Sequence, residues 1–174
     1  MIYYQDEEVL IRDLDEADAQ IITDEEIAQG WHQTIDKYLM RLQHQSQGKA
    51  ICLVAEYRGQ VAGYINVYPT VIAGPFVGKG YPEIVDFGVL VKYRCKGIGT
   101  KLMDAAEAIA RRYSSTVCLS VGVHNGYGSA QRMYVKRGYL PDGSGVWYQK
   151  TNCPQYALCC NDDDLTLYFS KKLG

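Results

Sequence analysis

Apolar and polar positions along the chain follow two rhythms, and the changes of rhythm divide it into elements. Val9 to Leu14, Ala50 to Tyr57 and Gln60 to Tyr68 are dense in β-branched and aromatic residues and predict strands. The last two, joined at Arg58-Gly59, read as an antiparallel hairpin. Before the hairpin, Thr23-Asp24-Glu25-Glu26 offers a capping box. Ile27, Trp31, Ile35, Tyr38 and Leu42 then recur at three- and four-residue spacing, which predicts one amphipathic helix with Trp31 on its core side.

Pro69 to Pro82 interrupts this regularity with Gly74, Pro75, Gly78 and Gly80, as a mobile lip or an extension of the hairpin arms. A strand from Ile84 to Val91 follows, then a glycine-bearing loop. After the loop comes a helix whose buried face is Ile98, Leu102, Ala105, Ala106 and Ile109. Next come a strand from Thr116 to Val123 and a helix carrying Ala130, Met133 and Tyr134 that ends near Gly138. Strands around 145–149 and 165–171 finish the chain. Strands and helices in this order predict an α+β fold rather than a regularly alternating parallel one.

With 174 residues, one domain over 1–174 is expected, large enough for a proper core. Lys and Arg number 18 against 20 acids, a formal charge of −2, and no basic block appears, so nucleic acid is not an expected partner. Neither a leader pattern nor a membrane-length apolar run is present, which predicts a soluble cytoplasmic protein with no membrane partner. The cysteines, Cys52, Cys95, Cys118, Cys153, Cys159 and Cys160, lack paired Cys-x-x-Cys spacing, so no metal is expected and reduced thiols are the default; a redox pair or a metal cluster with a histidine is the alternative for Cys153, Cys159 and Cys160, but no histidine lies near them in sequence and scattered thiols are preferred. Cys52 and Cys118 fall in strand runs as small core hydrophobes. His32, His44 and His124 have no partner recognisable in the sequence and are assigned structural or surface roles.

The candidate chemistry begins at Arg94-Cys95-Lys96-Gly97-Ile98-Gly99, between a strand and a helix. Two glycines let the backbone approach a ligand, and the helix start leaves N–H groups without intrahelical partners, so an anion is the natural occupant. The loop lacks the Gly-Lys-Ser/Thr ending of a P-loop and the third glycine of a dinucleotide fingerprint.

Glu83-Ile84-Val85-Asp86-Phe87-Gly88-Val89 followed by Tyr93-Arg94-Cys95-Lys96-Gly97-Ile98-Gly99 resembles the acetyl-CoA motif of the GCN5-related N-acetyltransferases. Ala130-Gln131-Arg132-Met133-Tyr134-Val135-Lys136-Arg137-Gly138-Tyr139 resembles their second motif. The resemblance implies a mixed, largely antiparallel sheet flanked by helices and splayed between its fourth and fifth strands. It implies acetyl-CoA as co-substrate, its pyrophosphate held by backbone N–H groups of Arg94, Cys95, Lys96, Gly97, Ile98, Gly99 and Thr100. Val89 and Val91 would offer backbone groups to pantetheine, with the Val89 N–H also stabilising an oxyanion. Tyr134 occupies the position of the tyrosine that protonates the leaving thiolate. Where the family often has Asn this chain has Tyr127. Asn125 is therefore a candidate helix cap and ligand contact, with Ser129 as a second contact.

A lysine-like ammonium, pKa about 10.4, must lose a proton before it attacks a thioester. Glu83 is the candidate base, at the position of the glutamate of histone-acetylating members, and Asp86 competes with it. On a regular strand the two point to opposite faces, a parity that a β-bulge would spoil. These features predict direct transfer of an acetyl group to a primary amine of a small molecule or peptide. The alternative is a non-catalytic acyl-CoA-binding regulatory domain that keeps the loop and uses no base. Tyr64, Tyr68, Phe76, Tyr81, Trp147 and Tyr148 are candidates for an aromatic wall, and Asp162-Asp163-Asp164 for attracting a cationic acceptor. The family's frequent pairing through its last strands makes a homodimer, with Trp147 and Tyr148 in the contact, a second use of those residues.

Overall fold

The computed structural model describes residues 1–174. The chain folds into two compact units, one of Met1–Tyr68 with Val85–Ile109 and one of Pro69–Ile84 with Ala110–Gly174.

The first unit contains strands β1 (Ile2–Gln5), β2 (Val9–Asp13), β3 (Ile51–Tyr57), β4 (Gln60–Tyr68) and most of β5 (Glu83–Val89). They lie in that order in the sheet, and β1 to β4 pair antiparallel. Helices α1 (Glu16–Ala28) and α2 (Asp36–Ser46) precede the hairpin, and α3 (Ile98–Ala110) follows β5. Leu14, Ala19, Ile22, Tyr38, Cys52, Val54 and Tyr64 form one apolar core. Burial of such side chains, at roughly 25 cal/mol per Å² of apolar surface, is what holds the two helices to the sheet.

The single helix expected from Thr23 onward is two helices. α1 starts earlier, where Asp15 and Asp18 form a reciprocal capping box, and the Thr23 hydroxyl donates to Ala19 O inside the helix instead of capping it. Gly30, at φ +91°, takes the left-handed conformation that ends α1, and α2 begins after a seven-residue connection from Gln29 to Ile35. The apolar stripe therefore does not continue across the break. Ile27 is 54% and Trp31 37% exposed, whereas Tyr38 is buried. β1, four residues long, has too short a pattern to be visible in sequence.

The second unit includes Glu83 and Ile84 of β5, which pair in parallel with β6 (Thr116–Gly122) at Glu83↔Cys118 and Ile84↔Leu119. The remaining five residues of β5 lie outside that ladder. β10 (Leu165–Lys172) runs antiparallel to β6 from Thr166↔Gly122 to Lys172↔Thr116, and α4 (Gly128–Lys136) follows β6. The short strands β7 (Leu140–Pro141) and β8 (Trp147–Tyr148) both pair with β10, and β9 (Thr151–Asn152) pairs with β8. The strand expected over 145–149 shrinks to two residues because Gln149 and Lys150 take φ of +48° and +64° and turn the chain into β9. Together the elements form the expected mixed α+β arrangement, a largely antiparallel sheet with four helices. No helix is long and apolar enough to cross a membrane.

One cysteine expectation is corrected. Cys153 and Cys159 form a disulfide, while Cys52, Cys95, Cys118 and Cys160 are free. A turn in which Ala157 N donates to Pro154 O brings the two sulfurs together, a closure that six-residue spacing alone does not reveal.

Candidate active site

The connection between β5 and α3 leaves backbone N–H groups and two cationic side chains facing outward. Leu90 N donates to Ala62 O, Val91–Tyr93 form a 3₁₀ turn, and Arg94 is extended. Cys95 at φ +61° and Gly97 at φ +75° then turn the backbone into α3. Lys101 N reaches back to Gly97 O at 3.2 Å, so the N–H groups of Ile98, Gly99 and Thr100 precede that bond and point out of the helix N-terminus. The two glycines do different work. A β-carbon on Gly97 would meet open space, whereas one on Gly99 would sit 3.1 Å from Phe87 Cζ. Gly97 faces open space, and Gly99 lets α3 close onto β5.

Residues 92–101 carry Lys92, Arg94, Lys96 and Lys101 and no acid. Lys92 pairs with Glu25 and Lys101 with Asp6, both at 2.5 Å. Arg94 and Lys96 make no ion pair. The Arg94 Nε donates to Val89 O at 3.3 Å with its guanidinium over the Trp31 ring, and Lys96 lies over Tyr57. Both are exposed, as are Cys95, Gly97 and Thr100.

Val91 does not offer the expected free backbone. Its N–H donates to Gln29 Oε1 at 2.9 Å and its carbonyl accepts from Arg94 N at 3.2 Å. Gln29, at the end of α1, had no signal in the sequence. N–H directions alternate along an extended segment, so with Leu90 N–H turned to β4, Val89 N–H points away from it.

Among the carboxylates, Asp86 is held fast. Its Oδ2 accepts from both Nε and Nη2 of Arg41, whose Nη1 also bonds the Tyr68 hydroxyl, and His44 Nδ1 lies 2.8 Å from that hydroxyl. Asp86 itself sits at φ +50°, and Asn66 Nδ2 donates to the carbonyls of Val85 and Asp86. This break in the strand removes the parity argument that set Asp86 opposite Glu83. Glu26, placed in a capping box by its sequence neighbours, is instead fully buried and accepts from the hydroxyls of Tyr38 at 2.6 Å and Tyr64 at 2.5 Å.

In the second unit Glu83 is half-buried beside Cys118, and its charge helps burial to raise the Cys118 thiol and to push the Tyr168 phenol up to about 12. Tyr134 is 6% exposed on α4, its ring 5.7 Å from that of Tyr139, and burial first and Tyr127 second raise its phenol. Asn125 and Ser129 are exposed on either side of the α4 start. No side chain caps α4: Tyr127 holds its N-cap position without a side-chain bond, while His124 caps the short 3₁₀ turn before it, its Nδ1 accepting from Gly126 N and its Nε2 meeting Asp163 at 2.9 Å. Asp163 also accepts from Tyr127, and Asp162 from Tyr148, so two acids of the expected acceptor-attracting run are engaged within the fold. The expected aromatic wall divides. Tyr64 and Tyr68 belong to the first unit, while Phe76, Tyr81 and Trp147 pack with Tyr168 in the second. Trp147 is fixed there by its Nε1 donating to Ser144 Oγ at 2.7 Å.

Residues 14–139 match the model of the acetyltransferase (GNAT) family. An uncharacterized N-acetyltransferase of Chlorobaculum tepidum is 31% identical over 109 residues, which is 61% of this chain and 63% of that protein, less than two thirds of its length. Among solved structures, an acetyl transferase of Salmonella typhimurium that modifies the N-terminal serine of a 50S ribosomal subunit protein superimposes with a TM-score of 0.71. Its identity is 13%, with all of both chains covered. The protein yncA of Salmonella typhimurium, solved with its cofactor acetyl-CoA, gives a TM-score of 0.67 at 19% identity over 95% of this chain and 94% of that one.

Proposed function

The chain belongs to the acetyltransferase (GNAT) family, and from that premise we propose that it transfers an acetyl group from acetyl-CoA directly to a primary amine of a small molecule or peptide. One observation carries the reading: left-handed backbone at Cys95 and Gly97 opens onto the N-terminus of α3, with Arg94 and Lys96 outside any ion pair. The pyrophosphate of acetyl-CoA fits that chemistry, taking N–H groups of the loop and charge from the two side chains. The family match runs through both units, which supports one acetyltransferase domain over 1–174. The Salmonella typhimurium relatives, one solved with acetyl-CoA and one acting on a protein amino terminus, support the co-substrate and the peptide option.

In this reading Val89 N–H donates to the oxygen of the thioester carbonyl as it gains negative charge. Glu83 takes the proton that frees the amine lone pair. Asp86 is set aside because two guanidinium nitrogens already engage its Oδ2. Tyr134, whose phenol burial keeps protonated, donates to the sulfur as the carbon–sulfur bond breaks. Asn125 and Ser129 are kept as co-substrate contacts on their exposure at the start of α4.

The test is thiol release from acetyl-CoA with a panel of alkylamines, polyamines, aminoglycosides and peptides. Amine-dependent release that falls in Glu83→Gln and Tyr134→Phe is expected. No release with any amine, or release indifferent to both substitutions, overturns the reaction or the two roles respectively.

A further inference from the structure

The end of α1 is tied to residues 89–94 at three points. Gln29, the C-cap of α1, accepts from Val91 N–H at 2.9 Å through its Oε1. Glu25, in the last turn, pairs with Lys92. Trp31, two residues past the cap, has Arg94 Cζ 5.9 Å from its ring centroid, and the Nε of the same arginine donates to Val89 O at 3.3 Å.

Two of these contacts cap one edge of the backbone. Peptide groups of alternate residues face opposite sides of an extended segment, and Leu90 N–H is turned to Ala62 O of β4. Val89 O and Val91 N–H therefore face the other side, past Ile84, where β5 leaves its ladder with β6. Each meets a side chain instead of a neighbouring strand, Val91 N–H a carbonyl oxygen and Val89 O an N–H. An acceptor and a donor two residues apart are what an extended chain of amides would supply at that edge.

The cap on Val91 is an imperfect one. Val91 N–H fixes Oε1 toward the backbone, because turning the amide over would set two donors against each other. The Nε2 of Gln29 is then buried, and no group of the chain accepts from it. A buried donor without an acceptor is costly, and moving the side chain out to water recovers that cost.

We propose that Gln29 is a latch on the co-substrate site: its amide, with the Arg94 side chain, stands in for the amide arm of acetyl-CoA and is displaced when that arm arrives. The inference rests on the acetyl-transfer reading for the identity of the ligand. With the thioester at Val89 and the pyrophosphate at residues 94–100, the arm between them runs past Val91, and its amides supply the carbonyl and the N–H that the two side chains supply in the free protein. Arg94, drawn off Val89 O, then gives its charge to the pyrophosphate. Coenzyme A keeps the same arm, so the latch competes with the product as it does with the co-substrate and favours its departure.

Calorimetric titration of the full chain with acetyl-CoA, and separately with the phosphoadenosine diphosphate half of coenzyme A, which has no arm, tests the latch without turnover. Gln29→Ala should bind acetyl-CoA roughly fivefold more tightly, the effect of one ordinary hydrogen bond no longer competing, and the armless nucleotide as wild type does. Gln29→Glu keeps an acceptor on Val91, strengthens it with charge and removes the orphaned donor. It should bind acetyl-CoA roughly fivefold more weakly than wild type, beyond any loss that the armless nucleotide shares. Opposite shifts at one position are not a product of misfolding. Acetyl-CoA bound no more tightly by Gln29→Ala, or no more weakly by Gln29→Glu, overturns the latch alone, as does an equal gain for the armless nucleotide in Gln29→Ala. Wild type that binds no acetyl-CoA overturns the acetyl-transfer reading and the latch with it.

Discussion

Replacing Gly97 by alanine separates the cost of a backbone conformation from the cost of a lost ligand contact. Gly97 sits at φ +75° and Gly48, past the end of α2, at φ +69°, and a β-carbon at either would meet nothing within 4 Å. Both substitutions place an L-residue in left-handed backbone without any packing clash, so each should lower stability by about 1–2 kcal/mol. Their effects on acetyl-CoA should diverge. At Gly97 the methyl group stands where a phosphate approaches the N–H groups of α3. Losing one charge-assisted hydrogen bond of about 1.5–3 kcal/mol would weaken binding roughly tenfold to a hundredfold. Urea titration of both variants and calorimetric titration with acetyl-CoA give the two numbers. Equal affinity in Gly97→Ala and wild type, or an equal loss in Gly48→Ala, would refute the anion site.

Three further outcomes follow from other parts of the chain. Gly88→Ala should cost about 1–3 kcal/mol by overpacking against Tyr64, and the cost should shrink when Tyr64 is also changed to alanine, a coupling that a double-mutant denaturation cycle detects. Tyr134→Phe should lower kcat on the order of a hundredfold with little change in acetyl-CoA affinity. Because burial raises the phenol, the loss of rate that marks its deprotonation in wild type should lie above the ordinary tyrosine range, and the variant's pH profile should lack it. Titration of the folded, unreduced protein with a thiol reagent should find two accessible groups, Cys95 and Cys160, with Cys160 the slower of the two because a hydrogen bond with Asp162 raises its thiol. Cys52, pushed up to about 12 by burial, and Cys118 should react only after unfolding.

Patterns carried by neighbouring residues were legible in the sequence. The hairpin at Arg58-Gly59, the strand–loop–helix around Gly97 and the helix bearing Tyr134 all appear where periodicity and turn residues predict them. What escaped depends on distant partners or on single dihedral angles. The break between α1 and α2 turns on Gly30, which looks like an ordinary glycine inside a convincing apolar stripe. Gln29 meets Val91 across 62 residues of sequence, and Arg41 meets Asp86 across 45. Glu26 was masked more thoroughly, since a capping-box reading explained it locally while its tyrosine partners lie 12 and 38 residues away. The Cys153–Cys159 bond, only an alternative in the sequence, escaped for a related reason: the expectation of reduced thiols came from cysteine spacing, whereas the bond follows from a turn.

The central claim is direct transfer from acetyl-CoA to an amine, and a single-turnover reaction with enzyme in excess tests it most directly. Free thiol and acetylated amine should appear in equal amounts and at the same rate, with no acetyl group on the protein at any time, as mass spectrometry of the quenched mixture would show. Thiol released ahead of the acetylated amine, with the acetyl group found on the chain, would contradict the claim, as would acetyl-CoA that binds and is never consumed in the presence of any amine.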